Sequence, residues 1–268
     1  MKKLITIVLV IAFVYSCSTN SDNNNSSSSS GPLIKTETSI GGTETYNYNG
    51  NKLSNIMYSP SETITFTYNG DLIIKAEENG GLVNSITTYN YSNNLLSSFS
   101  GNESYSNTII RTTNKTYTYN SSGSITEMTT GTTINLGNTQ TDNSKHIRYY
   151  SQGNCIKEEY FSISNGVSTL VDTATFTYDT SNSPYKNITG FYSLTNPQGF
   201  YSINNLKSEI HKNTSNITTR TVQITYQYNS ENYPTSSTGV ITNYTINSQT
   251  GASTPQTPIT QSGIITYY

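Results

Sequence analysis

Apolar and polar residues alternate along this chain in short runs that end in turn-forming residues. In Ile64–Tyr68, aliphatic and aromatic side chains occupy every second position and threonines fill the positions between them. Val222–Tyr228 alternates in the same way, with Gln and Thr between the apolar residues. A period of two puts the two sets of side chains on opposite faces of a strand. We therefore predict β-strands with one buried and one solvent-exposed face.

These runs belong to a repeated unit. An aromatic pair, such as Tyr117 and Tyr119, is followed by an Asn/Ser/Gly turn and then by an aliphatic residue that opens a second run. The copies are Tyr46–Ile56, Phe66–Ile74, Tyr89–Phe99, Tyr117–Met128, Tyr149–Tyr160, Phe176–Ile188 and Tyr226–Pro234. The dipeptides Asn49-Gly50 and Asn69-Gly70 favour tight hairpins, because both residue types tolerate positive φ. Each copy is predicted to be a β-hairpin.

A single hairpin is only marginally stable in water, so the copies must assemble. Seven hairpins give about 14 to 16 strands, which predicts an all-β fold built as a large antiparallel meander. Val240–Ile246 and Ile264–Tyr268 read as strands after the seventh copy. Because an open edge invites pairing with other chains, we expect one sheet that is curled or closed into a barrel. A β-sandwich is the alternative.

The repeats break down at two places. The fifth copy, Tyr149–Tyr160, is degenerate, and an insertion, Pro184–His211, precedes the seventh. Within the insertion, Phe200, Ile203, Leu206 and Ile210 have roughly helical spacing, which predicts one or two helical turns. We expect the insertion to cover one end of the sheet; a surface loop is the alternative. The aromatic pairs recur in every hairpin and are predicted to be structural, so any specificity should lie at these two breaks.

The first 16 residues resemble a bacterial lipoprotein signal peptide. Lys2 and Lys3 precede the apolar run Leu4–Val14, and the segment ends in Val-Tyr-Ser before Cys17. The resemblance implies cleavage before Cys17 and acylation of that residue; an ordinary secretory signal is the alternative. Residues 17–32 form a Ser- and Asn-rich tether with a reach of about 20 Å. Residues 33–268 form the single β domain.

Acylation at Cys17 would make the membrane a partner through lipid alone. Each buried CH₂ contributes about 0.8 kcal/mol, so several chains anchor a protein permanently in practice. The expected location is the outer membrane, on its periplasmic face or at the cell surface.

The repeats of this chain resemble those of two protein families. Tyr117-x-Tyr119-Asn-x-x-Gly123-x-Ile125 resembles the YD repeat of Rhs-type proteins and teneurins, although only Tyr178-Asp179 keeps the Asp. The whole chain is similar to Bacteroidetes lipoproteins of unknown function with a porin-like β fold, the DUF4595 type. Those proteins combine a lipobox, a polar tether, Tyr-x-Tyr-Asn/Asp hairpins and a late insertion with Asn-Pro and Asn-Leu-Lys-Ser. The resemblance implies a fold and an envelope location, and no established activity.

The amino-acid composition restricts the classes of function that the protein can have. The hydrophobic fraction is 32% and the charged fraction 11%, with 23 Tyr and no Trp. Tyrosine suits a thin β core, because its ring can be buried while its hydroxyl remains in contact with solvent. The net charge is −2 and becomes −4 when Lys2 and Lys3 leave with the signal peptide. Scattered lysines and arginines without a basic patch argue against nucleic acid as a partner.

Candidate catalytic chemistry is sparse. His146 and His211 are the only histidines, and neither lies in a catalytic signature, so both are expected to be surface or capping residues. The carboxylates of Glu158-Glu159, like those of Glu77-Glu78, are neighbours in predicted strands and must point to opposite faces. No catalytic residue, metal site or cofactor is therefore predicted.

Two further residues have candidate chemistry. Cys155 is expected to be a small buried hydrophobe, because Cys17 is assigned to the lipid. Asp172-Thr173-Ala174 matches a short O-glycosylation motif of Bacteroidetes proteins, which makes Thr173 a candidate for modification.

The first hypothesis is a non-enzymatic, lipid-anchored envelope protein that acts as a binding or structural module, with an unidentified glycan or envelope-protein partner. A carbohydrate- or lipid-binding accessory to nutrient uptake is the second. An enzyme with a site assembled from loops and a membrane-spanning barrel are further alternatives. The predicted solvent-exposed faces are rich in Thr, Asn and Ser, which argues against the membrane-spanning barrel.

Overall fold

The structure, a computed structural model, describes residues 31–80, 83–105, 109–135, 137–199, 202–247 and 249–268. The predicted signal peptide, Cys17 and most of the tether lie outside these residues. The strands are β1 (Ile34–Ser39), β2 (Gly42–Asn49), β3 (Lys52–Ser59), β4 (Glu62–Asn69), β5 (Leu72–Asn79), β6 (Val83–Ser92), β7 (Leu95–Tyr105), β8 (Ile109–Tyr119), β9 (Ser124–Asn135), β10 (Asn138–Ser151), β11 (Asn154–Ser164), β12 (Val167–Tyr178), β13 (Leu206–Asn213), β14 (Thr218–Tyr228), β15 (Pro234–Ile246), β16 (Ser253–Pro255) and β17 (Ile259–Tyr267). One short helix, α1 (Phe191–Thr195), lies between β12 and β13.

The strands form a closed antiparallel barrel. Each strand from β1 to β15 pairs with the next, and β17 pairs with both β15 and β1. Ile34 lies opposite Tyr267 across this last pairing, which closes sixteen strands into a ring. The short strand β16 pairs with the end of β15. The predicted all-β meander and its closure are confirmed, and the sandwich is excluded.

The turns form where the Asn-Gly dipeptides predicted them. Asn49 pairs with Lys52, so the asparagine is the last residue of β2, and Gly50 with φ 61° is the first loop residue. The second Asn-Gly turn has the same register, with φ 56° at Gly70. The glycine alone therefore supplies the positive φ that the tight turn requires.

The second aromatic residue of each copy has a bonding role. A register shift occurs at this residue in every copy except the fourth, and such bulges re-aim a side chain. Six inward tyrosine hydroxyls donate to a carbonyl at the start of the neighbouring strand, at 2.7 to 3.1 Å. The pairs are Tyr48 with Ile34, Tyr91 with Ile73, Tyr119 with Leu96, Tyr178 with Cys155, Tyr226 with Leu206, and Tyr267 with Pro234. The repeat is thus a structural unit, as predicted.

In the seventh copy the first tyrosine takes this role. Tyr226 bonds to the wall, and the hydroxyl of Tyr228 donates to the Asp179 carboxylate instead. Asp179 begins the chain segment that follows β12, so the change of partner coincides with the insertion.

Residues 179–199 and 202–205, called the plug below, fill one end of the barrel. Tyr185, Ile188, Phe191 and Leu194 are buried against the inner aromatic face. The Thr189 N–H donates to the Asn51 carbonyl at 2.9 Å. The insertion therefore covers one end of the sheet, as predicted.

The predicted helical turns are in the wrong place. Leu206 and Ile210 belong to strand β13, and Ile203 lies outside any helix. Phe200 falls outside the described residues. The helix that forms, α1, is only five residues long and depends on packing inside the barrel, so it leaves no helical period in the sequence.

The chain enters and leaves the barrel at the plug end. The Tyr268 N–H donates to the Leu33 carbonyl at 3.0 Å, and the Asn187 side chain donates to the Pro32 carbonyl at 2.7 Å. The last tether residues therefore touch the plug.

The outer wall mixes polar residues with scattered aliphatic ones, such as Met128, Ile156 and Ile210, and strands β6 and β8 show the pattern. Outward positions on β6 are Asn84, Ile86, Thr88 and Asn90, all exposed. Outward positions on β8 are Ile110, Thr112, Asn114, Thr116 and Thr118. Each of these strands thus carries one outward aliphatic residue among polar ones.

Candidate functional site

A network of charged side chains lies inside the barrel next to the plug, and we call it the Arg148 network. Arg148 Nε donates to Glu158 Oε2 at 2.6 Å, and its Nη1 donates to Glu127 Oε2 at 3.1 Å. Lys115 Nζ lies 3.0 Å from Glu127 Oε1, and His146 Nδ1 lies 2.9 Å from Glu158 Oε1. The side chains of Arg148 and Glu127 are almost fully buried. Each carboxylate therefore has two nitrogen partners.

The electrostatics of the network favour its charged form. Burial opposes ionisation of Glu158, but the Arg148 guanidinium outweighs it and lowers the pKa of that carboxyl to about 2. The pKa of Glu127 is lowered for the same reasons, with Lys115 as a second cation. Burial acts against the charge of Arg148, yet the two glutamates raise its pKa. Carboxylates held ionised in this way are poorly suited to general-acid chemistry at neutral pH.

The network also holds the plug. Arg148 Nη1 donates to the Pro197 carbonyl at 3.0 Å. At Gly199, φ is 78° and an added Cβ would lie 2.3 Å from Arg148 Nε. A side chain at that position would displace the guanidinium, so glycine is required there.

A second network surrounds His211 on the inner face of β12, β13 and β14, next to the strands of the Arg148 network. His211 Nδ1 lies 2.6 Å from Asp172 Oδ2, its Nε2 contacts Glu209, and Arg220 Nη1 lies 2.8 Å from Glu209 Oε1. Burial lowers the pKa of His211, but hydrogen bonds to the two carboxylates outweigh it, so the pKa is raised. Two acids bonded to one histidine favour its protonated form, which suits an ion-pair role better than that of a base.

The expectation that both histidines are surface or capping residues is wrong. His146 and His211 lie within strands and point into the barrel, where their side chains are 22% and 25% exposed. Alternation from Tyr150 places His146 and Arg148 on the inner face, so this part of the network was visible in the sequence. The partner Glu127 lies one strand away and required the register.

Glu37, a buried carboxyl at the boundary between β1 and the plug, has a raised pKa instead of a lowered one. Tyr185 of the plug donates to Glu37 Oε2 at 2.5 Å, and Tyr46 lies 3.4 Å from the same atom. Burial is the main cause that raises the pKa of Glu37, to about 7, with repulsion from Glu44 adding to it. Within the described residues no cation forms an ion pair with Glu37.

An open cleft of about 380 Å³ lies between the plug and the barrel rim. Helix α1 forms one side of it, and the turns that open β7, β9 and β11 form the other. Its lining is Leu95, Tyr119, Asn120, Gly123, Ser124, Ile125, Tyr150, Gln152, Gly153, Tyr192 and Asn196. None of these side chains carries a formal charge. Volumes of a few hundred Å³ are typical of small-ligand sites.

Two of the cleft's aromatic rings are fixed by hydrogen bonds. The Tyr119 hydroxyl donates to the Leu96 carbonyl at 3.1 Å, and the Tyr150 hydroxyl donates to the Asn196 carbonyl at 2.7 Å. Tyr192 supplies a third ring from helix α1. The cleft therefore has a preformed aromatic floor with amide groups around it.

Residues from both segments in which the repeat breaks down line this cleft. Tyr150, Gln152 and Gly153 come from the degenerate fifth copy, and Tyr192 and Asn196 come from the insertion. Sequence reasoning identified both segments but could not bring them together, because more than 40 residues separate Tyr150 from Asn196.

The remaining candidate residues lie as follows. Glu158 points inward and Glu159 outward, where Glu159 bonds to Lys157 on the outer wall, so the pair cannot converge, as predicted. Cys155 is buried, and burial raises the pKa of its thiol to about 12, which fits an inert side chain. Thr173 is half-buried in the middle of β12, and its glycosylation stays a prediction. Cys17 lies outside the described residues.

Two general searches add little. Across the described ranges, no group of three or more His, Cys, Asp or Glu side chains has the geometry of a metal site. In the same part of the chain, no helix is long and apolar enough to cross a membrane.

Comparisons with known proteins relate the chain to others by fold. No family model matches the sequence, and no curated protein matches it. Among solved structures, a porin-like protein from Bacteroides uniformis ATCC 8492 aligns with 88% of this chain and 95% of its own, at 16% identity and a TM-score of 0.46. A porin-like protein from Bacteroides vulgatus ATCC 8482 aligns with 88% of this chain and 99% of its own, at 11% identity and a TM-score of 0.54. The chain shares the barrel fold of this second protein.

Proposed function

We propose that this protein is a lipid-anchored β-barrel of the bacterial cell envelope that acts as a non-enzymatic binding module. The observation that carries the proposal is a barrel with one end filled by its own plug and with aliphatic residues scattered among polar ones on its outer wall. Tyr185 and Phe191 of the plug are buried against the inner face, and Arg148 fixes Pro197 at 3.0 Å. A barrel closed at one end by its own chain suits a binding surface better than a diffusion pore.

The outer wall supports attachment by lipid and not by the barrel itself. Membrane-spanning barrels carry an outward apolar band about 25 Å tall. Strands β6 and β8 instead present mostly Asn and Thr outward, with the single aliphatic residues Ile86 and Ile110. The lipoprotein-like sequence before Cys17 supplies the alternative attachment. The porin-like protein of known structure adds support for an envelope location by fold alone.

The tether determines which end of the barrel is nearer the membrane. It reaches the barrel beside the plug, where Pro32 accepts a hydrogen bond from Asn187. With a reach of about 20 Å, residues 17–32 would hold the plug end, and with it the cleft, close to the membrane. The charged networks inside the barrel are neutralised internally, which favours binding over catalysis as the role of the cleft.

Membrane fractionation of the Cys17→Ala variant tests the proposal. The variant should either leave the membrane fraction after a carbonate wash or accumulate as the larger unprocessed form, whereas the wild-type protein stays at its processed size, because the lipid on Cys17 attaches the processed protein. Cys155→Ala is the matched control, since it removes the other thiol and keeps the lipid site. Retention in washed membranes of a Cys17→Ala protein of the processed size would contradict the proposal and support a membrane-embedded barrel.

A further inference from the structure

We propose that the cleft between the plug and the barrel rim binds a neutral saccharide. This inference rests on the proposed binding function and assigns a ligand class to the same surface. It starts from three tyrosines, Tyr119, Tyr150 and Tyr192, which line the cleft. An aromatic face carries partial negative charge and attracts the slightly positive C–H groups of a sugar ring.

The rest of the lining selects hydroxylated groups. Besides the three tyrosines, four of the eleven lining residues have amide or hydroxyl side chains: Asn120, Ser124, Gln152 and Asn196. Asn120 Nδ2 is held by Ser124 Oγ at 3.0 Å and by Thr126 Oγ1 at 3.1 Å, which fixes the amide at the rim. A small number of placed polar groups around an aromatic floor gives a pocket its specificity.

The lining also argues against other ligand classes. It contains no charged side chain, so an anionic or cationic ligand would lose water without gaining a counter-charge. Only Leu95 and Ile125 are aliphatic, and Leu95 is 48% exposed at the open rim. An acyl chain would therefore contact mostly tyrosine rings and amides. A neutral sugar satisfies both parts of the lining.

The cleft is prepared for a ligand before one arrives. The Tyr119 and Tyr150 hydroxyls are bonded to backbone carbonyls, so both rings are held without a ligand. Tyr192 lies on the plug and completes the cleft from the other side. A preformed aromatic site avoids the entropic cost of ordering its side chains on binding.

Isothermal titration of the full-length protein tests the inference. The protein is kept in an amine-oxide detergent, which has no sugar headgroup. The probes are maltose, cellobiose and lactose, with glucuronate as a charged sugar and hexanoate as a short acyl chain. At least one neutral disaccharide should bind, and glucuronate and hexanoate should bind at least about tenfold more weakly.

Variants place the binding in the cleft. Tyr192→Ala should weaken the disaccharide by about tenfold, because one stacking face is lost, and Tyr192→Phe should retain most of the affinity. Tyr244→Ala on the outer wall is the matched control and should bind as the wild-type protein does. Circular dichroism and thermal unfolding establish that each variant is folded.

Three outcomes would overturn the inference. They are no disaccharide binding by the folded protein, binding that Tyr192→Ala leaves unchanged, and preferential binding of hexanoate or glucuronate. Each is distinguishable from failure of the proposed function, because lipid anchoring is measured separately through Cys17.

Discussion

At the scale of single residues, Glu37 makes the stability of the plug depend on pH. Its carboxyl accepts a hydrogen bond from Tyr185 and lies at the boundary between β1 and the plug. The folded-state pKa of about 7 is above the ordinary value of 4.5, so the folded protein holds this proton more tightly than the unfolded chain. The resulting stabilisation is complete below pH 4.5 and is lost as the pH rises to about 7.

We expect Glu37→Gln to reduce this pH dependence. The amide keeps the shape of the protonated carboxyl and does not ionise, so the variant should lose less stability than the wild-type protein between pH 5 and about 8. Urea unfolding at several pH values measures the difference. Glu77→Gln, which changes an outward-facing carboxylate paired with Lys75, serves as the control. Equal pH slopes for Glu37→Gln and the wild-type protein would contradict the assignment.

The sequence predicted some residue environments and not others. The opposed faces of Glu158 and Glu159 followed from alternation, and the buried thiol of Cys155 followed from its residue type within a predicted strand. Glu37 did not, because its partner Tyr185 is 148 residues away and lies in the plug. Environments set by one strand could be predicted, and those set by packing between the wall and the plug could not.

At the scale of elements, the tyrosine–carbonyl bond connects six strands to the strand that precedes each of them in the barrel, whereas Tyr68 and Tyr150 donate to plug carbonyls instead. Tyr91 on β6 donates to the Ile73 carbonyl on β5 at 2.8 Å. Neighbouring strands in a sheet already exchange backbone bonds, so this contact adds an inner connection at the plug end. The second aromatic residue is Tyr in all seven copies, and its hydroxyl has a bonding partner on the wall or in the plug segment in each of them.

We expect Tyr91→Phe to destabilise the barrel by about 1 kcal/mol, because the ring stays packed and one hydrogen bond is lost. Tyr149→Phe, which loses a hydroxyl on the outer wall beside Glu159, should change stability by less. Urea unfolding of both variants compares the two positions. An equal or larger loss for Tyr149→Phe would show that the inner bond is not a stabilising connection.

The elements themselves were predictable where the repeat is regular. Hairpins with Asn-Gly turns followed from local chemistry, since both the strand period and the turn residues agree. The helix did not follow from local chemistry, because α1 has only five residues. Gly190, which precedes it, has φ 75° and packs closely against the Asp71 carbonyl of the barrel wall. A segment that folds only inside the barrel carries no periodic signal of its own.

At the scale of the whole molecule, closure depends on one pairing between the two ends of the domain. The residues of β1 that face β17 run from Ile34 to Thr38. The cost of open edges predicted that the sheet would curl or close. Local patterns could not exclude the sandwich, because both architectures use the same alternating strands. The register between strands more than 200 residues apart decides between them.

Removal of the last strand, β17, should therefore unfold the whole barrel and not leave a folded barrel that is one strand smaller. Without Ile259–Tyr268, both β1 and β15 become edges, and Tyr267 no longer donates to Pro234. We expect loss of the cooperative thermal transition and aggregation, measured by circular dichroism and size-exclusion chromatography.

A circular permutant provides the matched control, because it changes connectivity and keeps every pairing. Tyr268 is joined to Leu33 by a short Gly-Ser linker, since their backbones are already hydrogen-bonded at 3.0 Å. The new ends lie at Ile40, which is 86% exposed in the turn between β1 and β2. Exposed turns tolerate such cuts, so the permutant should fold and retain the thermal transition. If the truncated chain unfolds as cooperatively as the permutant, the pairing of β1 with β17 is not what holds the barrel closed.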